Sequence, residues 1–307
     1  MPGRTSVEVP LAVEDRRPPW IRTRFRAGER YRGVIELLRE HDLSSVCEEA
    51  ACPNIGECFG AGTATFMILG DICTRACGFC AVTSGRPSGL DLGEPGRLAD
   101  AIAAMALDHA VITSVNRDDL PDGGAGVFAA CIRAIRRRHP ACDVEVLIPD
   151  FEGDWAALAT VMEAGPDVLN HNIETVPRLY PRVRPKGRYE RSLELISRAQ
   201  SLAPQTPTKS GLMVGLGETF DEVTAAMSDL RAAGCELLTV GQYLRPTSKH
   251  LPIARYYEPS EFEAIAAAGR ALGFAHVEAG PLVRSSYHAA QQVSAATDGA
   301  AARSSDG

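Results

Sequence analysis

The stretch GDICTRACGFC, residues 70–80, decides the fold of this 307-residue chain. Its three cysteines, Cys73, Cys77 and Cys80, are separated by three and then by two residues. Three thiolates this close together can bind three irons of one [4Fe–4S] cluster and leave the fourth iron open. The stretch follows the apolar run FMIL (66–69), which predicts a buried strand. A ligand-bearing loop directly after a strand is typical of the catalytic end of a strand–helix barrel.

Short apolar runs alternate with helical patterns from residue 62 onward. The predicted strands are Thr65–Leu69, Ala110–Thr113, Val144–Ile148, Asp167–Asn170, Lys209–Val214 and Leu237–Val240, with a last apolar run at Ala275–Val277. The predicted helices are Arg97–Leu107, Val127–Arg137, Trp155–Ala164, Tyr189–Leu202, Phe220–Ala233 and Pro259–Leu272. Six repeats indicate a parallel sheet, and about 215 residues are too few for a closed eight-unit barrel of about 250. We therefore predict an α/β fold, a partial (β/α)6 TIM-like barrel with an N-terminal cysteine-bearing extension and a short C-terminal extension.

The two ends of the chain do not follow this alternation of strands and helices. Residues 1–61 are expected to form an N-terminal extension, with one amphipathic helix at Tyr31–His41 followed by a cysteine-bearing loop. Residues 62–280 would form the barrel and residues 281–293 a C-terminal segment. Residues 294–307 are small and polar, and we expect them to be disordered.

Charge and hydropathy exclude several classes of protein. The formal net charge of −7 argues against nucleic-acid binding, which normally requires a basic surface. Neither a membrane-spanning run nor a signal-peptide pattern is visible, so we expect a cytoplasmic protein without a membrane partner. Seven arginines with one acid lie between Arg16 and Arg32. This arm could bind an acidic partner, or its arginines could be solvated and pair with the body of the protein.

A second cysteine triplet lies upstream of the first. Cys47, Cys52 and Cys58 are separated by four and then by five residues, so six of the nine cysteines fall within residues 47–80. Such clustering in a non-secreted chain indicates metal binding. Zinc is the competing explanation for residues 73–80, but a structural zinc site requires four ligands, and that loop offers three and no nearby histidine.

The spacing of Cys73, Cys77 and Cys80 after the first strand resembles the radical S-adenosylmethionine superfamily. The resemblance implies that the open iron binds the amino and carboxylate groups of S-adenosylmethionine. An electron from the cluster would then release a 5′-deoxyadenosyl radical. Phe79 is similar to an aromatic residue that packs near the adenine in that superfamily, although a core role is equally compatible with the sequence.

The upstream triplet, in the text VCEEAACPNIGEC (46–58), is similar to lipoyl synthases nearly residue for residue. The similarity continues in GTATFMILGD (62–71), ITSVNRDDL (112–120), VLIPDF (146–151), NHNIETV (170–176), GLMVGLGET (211–219) and RSSY (284–287). It implies a second, auxiliary [4Fe–4S] cluster held by Cys47, Cys52, Cys58 and Ser286. Ser285 is the alternative fourth ligand.

The same resemblance implies the reaction and the partners. Two sulfur atoms would be inserted at carbons 6 and 8 of a protein-bound octanoyl-lysine, with two S-adenosylmethionine consumed and the auxiliary cluster as sulfur donor. The implied carriers are the E2 subunits of 2-oxoacid dehydrogenases and the glycine cleavage H protein. An electron donor such as ferredoxin or flavodoxin, and an iron–sulfur carrier that rebuilds the cluster, are implied as well.

Polar residues near the ends of predicted strands are candidates for contacts with S-adenosylmethionine. They are Ser114, Asn116, Asn172, Glu174, Lys209, Gly215 and Glu218. Glu174 could instead form an internal salt bridge with Arg182 or Arg184. The charged loop NRDD (116–119) could be a self-satisfied polar turn. The three remaining cysteines lie in helical or strand contexts and are predicted to be buried thiols, at positions Cys131, Cys142 and Cys235.

Two other functions remain open from the sequence. One is a paralogous two-cluster enzyme that inserts sulfur into a different acyl substrate. The other is a non-catalytic iron–sulfur carrier, for which Cys73, Cys77 and Cys80 would be dispensable.

Overall fold

The computed structural model describes residues 17–21, 29–41, 43–45, 48, 52 and 54–293. Cys47, most of the arginine-rich arm and the tail 294–307 lie outside the described residues, so their predictions stay predictions. Within the described part of the chain, no helix is long and apolar enough to cross a membrane.

An eight-stranded sheet organises the molecule. Its strands, in spatial order, are β1 (Ser44–Ser45), β2 (Thr63–Ile68), β5 (His109–Ser114), β6 (Asp143–Leu147), β7 (Val168–Asn170), β8 (Thr208–Val214), β9 (Leu237–Gln242) and β10 (His276–Gly280). The seven strands from β2 to β10 run parallel, whereas β1 pairs antiparallel with β2 at the edge. Two short strands, β3 (Ile72–Cys73) and β4 (Thr83–Ser84), form a separate parallel pair.

Two helices precede β2 in the described part of the chain, α1 (Glu29–Glu40) and α2 (Ile55–Gly60). The later helices lie in the crossovers between the parallel strands, and they are α3 (Glu94–Ala104), α4 (Ala125–Arg138), α5 (Trp155–Glu163), α6 (Tyr180–Val183), α7 (Tyr189–Leu202), α8 (Phe220–Ala232) and α9 (Pro259–Ala271). Side chains that cap the first turn mark the start of several helices. The Thr219 side chain accepts from the Glu222 amide in a capping box at the start of α8, and Asp154 accepts from two amides at the start of α5.

Alternation along the strands separates the outer core from the barrel interior. On β5, Ala110 and Ile112 belong to the apolar core shared with the helices, and their neighbours His109, Val111 and Thr113 have the opposite orientation. The outer core forms two main clusters, one around the first half of the sheet and one around the second. The interior face is more polar, and the segment after β10 reaches it: Thr65 Oγ1 lies 2.9 Å from Ser286 Oγ.

The predicted fold class is confirmed, with six strand–helix units and a seventh parallel strand. Two details of the sequence interpretation were wrong. Cys58 lies on helix α2 (Ile55–Gly60) rather than in a loop. Lys209 lies near the beginning of its strand, and not at the end where a cosubstrate would bind. Its amine is fully buried 3.1 Å from the Glu145 carboxylate, because a charge this deep in the interior requires a counter-ion.

Candidate active site

The loop after β2 brings the three downstream cysteines into one neighbourhood. Cys73 ends β3, and Cys77 and Cys80 follow in irregular backbone. The Cys73 sulfur accepts hydrogen bonds from the backbone amides of Arg75 (3.4 Å) and Asn116 (3.3 Å). Amide donors to a ligand sulfur stabilise its negative charge and thereby tune the reduction potential of an iron–sulfur cluster.

A buried ion-pair network fixes the inner side of this loop. The Arg75 guanidinium binds Asp118 through two nitrogens, at 2.9 and 2.8 Å, and its Nη2 also lies 2.7 Å from Asp150. Burial would raise the pKa of Asp150, but hydrogen bonding and charge attraction from Arg75 outweigh it and hold that pKa far below its usual range. The sequence did not predict this network, because its three residues come from three separate loops and a single aspartate in a loop does not reveal its partner.

Backbone hydrogen bonds fix the outer side of the same loop. The Gly78 amide donates to the Val183 carbonyl (2.9 Å), and the Leu251 amide donates to the Gly78 carbonyl (3.0 Å). His250 Nε2 donates to the carbonyl oxygen of Cys80 (2.9 Å). A side chain at position 78 would begin 2.8 Å from the Leu251 side chain, so glycine is required for this close approach.

The donor set fits an iron–sulfur cluster. Burial raises the pKa of the Cys77 thiol to about 12, although Arg184 opposes the shift, and burial also raises the pKa of Cys80. Iron binding would therefore displace protons from these thiols. Among the described residues, no three Cys, His or carboxylate side chains converge on a single metal ion. A [4Fe–4S] cube does not require such convergence, because each thiolate binds a different iron.

Buried polar atoms without partners lie beside the loop. Among the described residues, the side-chain oxygens of Ser114, Asn116 and Asn172 have no hydrogen-bond partner. All three residues lie at or after the carboxyl end of a strand. An unpaired buried oxygen is costly, about 1–3 kcal/mol, so these atoms are suited to receive the polar groups of a bound molecule.

Glu174 has an uncommon backbone conformation next to these atoms. Its φ is +67°, and its amide and carbonyl bridge to β8 through Gly211 and Met213. Burial raises the pKa of its carboxyl, although Arg184 and Asn172 oppose the shift. Arg184, one of the two arginines that could form a salt bridge with Glu174, is therefore close. Its Nη1, however, donates to the Asn172 carbonyl (3.0 Å). Left-handed non-glycine residues are concentrated at functional sites, which favours a role for Glu174 in ligand binding.

Gly215 and Glu218 form a tight loop after β8. Gly215 has a φ of +100°, and a Cβ there would lie 2.0 Å from the Gln242 side chain. The two oxygens of the Glu218 carboxylate accept from the amides of Gly215 (2.6 Å) and Leu216 (3.0 Å). Glu218 therefore shapes the loop.

Phe79 is half-buried and packs against the second core cluster, in agreement with the alternative prediction of a core role.

The C-terminal segment meets the upstream cysteine segment. Burial and the nearby Cys52 raise the pKa of the Cys58 thiol to about 12. The Asn54 side chain donates to the Leu282 carbonyl (2.6 Å), and the Tyr287 hydroxyl donates to the Glu57 carboxylate (3.2 Å). These contacts bring the RSSY motif (284–287) to the helix that carries Cys58.

The two serines of that motif have different surroundings. Ser286 lies against Thr65 of β2, whereas Ser285 accepts a hydrogen bond from the Asn172 side chain (3.1 Å). The remaining three cysteines are buried as predicted, at positions Cys131, Cys142 and Cys235. Part of the charge of the loop NRDD (116–119) is paired within the loop, because Arg117 lies 2.8 Å from Asp119.

The fold and the three-cysteine loop define a radical S-adenosylmethionine protein. Residues 67–230 match the model of the Radical SAM superfamily. Two solved structures share the fold at 9–16% identity, each with a TM-score of 0.54. They are HydG, a maturase of the [FeFe]-hydrogenase (68% of this chain and 48% of that one), and Streptococcus suis SuiB with its precursor peptide (81% and 52%).

Close relatives narrow the family. The chain is 61% identical to a lipoyl synthase of Rubrobacter xylanophilus, over 97% of this chain and 94% of the relative. It is 59% identical to a lipoyl synthase of Methylococcus capsulatus, over 94% of this chain and 90% of the relative. The chain belongs to the lipoyl synthase family. Membership implies [4Fe–4S] chemistry and S-adenosylmethionine as cosubstrate.

Proposed function

We propose that this chain inserts two sulfur atoms, at carbons 6 and 8, into an octanoyl group bound to a lysine of a carrier protein. The convergence of the RSSY segment on the helix of Cys58, beside the barrel interior, is the observation that carries the proposal. It brings together two segments with predicted ligands that are more than 200 residues apart in the sequence. Two S-adenosylmethionine molecules would be consumed for each product.

The cysteine triplets have separate roles in this proposal. Cys73, Cys77 and Cys80 would hold the cluster that supplies the electron for cleavage of S-adenosylmethionine. Cys47, Cys52, Cys58 and Ser286 would hold the auxiliary cluster, the sulfur source. Since an alkoxide is a harder and more easily protonated ligand than a thiolate, the iron on Ser286 would be released first.

The polar residues at the strand ends would hold the cosubstrate. The free oxygens of Ser114, Asn116 and Asn172 can accept hydrogen bonds from its ammonium and hydroxyl groups. Glu174 offers a carboxylate at the same site. Phe79 would contact the adenine, and Gly215 would allow the backbone to approach, while Glu218 holds that loop in shape.

The chain would divide into four parts. Residues 1–61 would carry three auxiliary ligands, residues 62–280 would form the catalytic barrel, residues 281–293 would supply Ser286, and residues 294–307 would be a disordered tail. The partners would be octanoylated E2 subunits or the glycine cleavage H protein, a ferredoxin or flavodoxin, and an iron–sulfur carrier that restores the auxiliary cluster.

Single turnover on an octanoylated carrier domain tests this function. The reconstituted protein should contain about eight irons and lose about four sulfides as the product forms. Ser286→Ala should still produce 5′-deoxyadenosine but should lose most sulfur insertion, and Ser285→Ala serves as its matched control. Loss of sulfur insertion in Ser285→Ala alone would transfer the ligand role to Ser285.

The rival functions predict other results. A paralogue would cleave S-adenosylmethionine without thiolating the octanoylated carrier domain. A non-catalytic cluster carrier would form no 5′-deoxyadenosine at all. Either result with fully reconstituted protein would refute the proposed reaction.

A further inference from the structure

A strongly basic segment follows strand β7. Residues 178–191 contain six cations and one acid, Glu190, in a chain whose net charge is −7. Arg178 pairs with Glu222 at 2.6 Å. Arg191 lies 3.3 Å from the Asp150 carboxylate, and Arg184 is buried. Three exposed cations remain, and they define a surface that we call the basic face: Arg182, Lys186 and Arg188.

The basic face is attached to the loop of Cys73, Cys77 and Cys80. The carbonyl of Val183, which follows Arg182, accepts the hydrogen bond from the Gly78 amide (2.9 Å). Lys186 Nζ donates to the carbonyl of Thr74, next to Cys73, at 3.2 Å. The segment that carries these charges therefore contacts the cysteine loop at two points, once through its backbone and once through the Lys186 side chain.

The charge of the basic face is largely uncompensated. The side chains of Arg182 and Arg188 form no ion pair or hydrogen bond with any residue in the described part of the chain. Lys186 is 3.8 Å from the Asp118 carboxylate. A cleft of about 370 Å³ beside it is lined by Lys186, Arg188 and Arg191 together with one carboxylate, Glu152.

We propose that the basic face is the docking site of an acidic one-electron donor protein of the flavodoxin or ferredoxin type. The proposal rests on the proposed function, because it requires a cluster on Cys73, Cys77 and Cys80. The donor loses one electron, the cluster passes from the 2+ to the 1+ state, and no proton or chemical group is exchanged.

Location favours an electron donor over the octanoylated carrier domain. The acyl chain must reach the barrel interior, where Thr65 contacts Ser286, whereas an electron needs only to reach the cysteine loop. Electron-transfer encounters are weak and bury less than about 1,200 Å², so a few exposed charges can account for much of their affinity and association rate. The acidic remainder of the chain would repel an acidic donor and direct it to this face.

A matched pair of double variants tests the proposal. Arg182→Glu/Arg188→Glu alters the basic face, and Arg133→Glu/Arg137→Glu makes the same change of net charge on the exposed side of helix α4. The probe is flavodoxin hydroquinone, with its Kd measured by titration at low and high salt. We expect the first variant to weaken binding about tenfold at low salt, with less effect at high salt, and the control to stay within about twofold.

Turnover separates docking from chemistry. Both variants should form 5′-deoxyadenosine at the wild-type rate with dithionite, whereas flavodoxin-driven turnover should fall only for Arg182→Glu/Arg188→Glu. If both variants bound flavodoxin with the same affinity, the proposed docking site would be wrong. It would also be wrong if Arg182→Glu/Arg188→Glu lost affinity only for the octanoylated carrier domain. A wild-type protein that remains inactive with dithionite would refute the proposed function instead.

Discussion

The two cysteine-bearing segments of this molecule are held in different ways. The loop 73–80 is joined by backbone hydrogen bonds to the loops at Asn116, Val183 and Leu251, and a buried arginine lies at its centre. Helix α2, with Cys58, contacts the C-terminal segment through side chains, mainly Asn54 and Glu57. A site fixed by backbone suits a cluster that persists through many turnovers. A site closed by a few side-chain contacts suits one that is dismantled and rebuilt, which matches the roles that we propose.

Removal of the backbone-held ligands should have the largest effect. We expect the triple variant Cys73→Ala/Cys77→Ala/Cys80→Ala to form no 5′-deoxyadenosine and to retain about four of about eight irons. Iron and sulfide analysis after anaerobic reconstitution measures this. Cys235→Ala removes a fully buried thiol elsewhere and should keep the full iron content. Loss of all iron in the triple variant would show that the two sites are not independent.

The ion pairs of Arg75 should account for much of the rigidity of the first site. Arg75→Met leaves Asp118 and Asp150 without their main partner, and breaking such a buried pair costs about 3–5 kcal/mol. Urea unfolding of the cluster-free protein should show a loss near the lower limit, because Arg191 remains 3.3 Å from Asp150. The matched control, Arg138→Met, breaks an exposed pair with Asp100 and should cost less than about 0.5 kcal/mol. Equal losses in both variants would contradict the comparison.

The long, periodic elements were the predictable part of this fold. Tyr189–Leu202 was predicted to the residue, because its apolar positions recur at helical spacing over 14 residues. The short strands Ser44–Ser45 and Ile72–Cys73 were not predicted, since two residues carry no periodicity and tertiary pairing alone fixes them. The cysteines were visible from their spacing. The partnership of Arg75 with Asp118 and Asp150 was not, because it depends on how separate loops meet.

His171 lies on the wall that faces the first site, and it should make the free energy of unfolding depend on pH. Its ring is fully buried, with Nδ1 donating to the Ile148 carbonyl (2.9 Å) and Nε2 near Ser192 Oγ (3.0 Å). Burial, together with Arg184, lowers its pKa from 6.5 to about 4. The unfolded chain therefore binds a proton between pH 6.5 and 4 that the folded chain does not, and stability falls as the pH falls through this window.

The contribution of His171 is about 1.4 kcal/mol per pH unit within the window. His171→Gln should unfold with a shallower dependence on pH there, and with a constant difference from wild type above pH 7. Urea midpoints of the cluster-free protein, measured in steps from pH 8 to 4, test this. Identical slopes for the two proteins would show that the pKa of His171 is the same in the folded and unfolded chains.

The side-chain contact that closes the second site should give the smallest effect. Glu57 is exposed and accepts from Tyr287 (3.2 Å), with His288 Nε2 at 3.3 Å, so Glu57→Gln should cost less than about 1 kcal/mol of stability. Because these contacts hold the RSSY segment beside Cys58, the variant should release iron to a chelator a few times faster, from the auxiliary cluster only. Glu48→Gln, which breaks the exposed pair with Arg39, is the control in the same extension. If iron loss were equally slow in both variants, the contact would not close the second site, and the contrast between the two segments would rest on the cysteine loop alone.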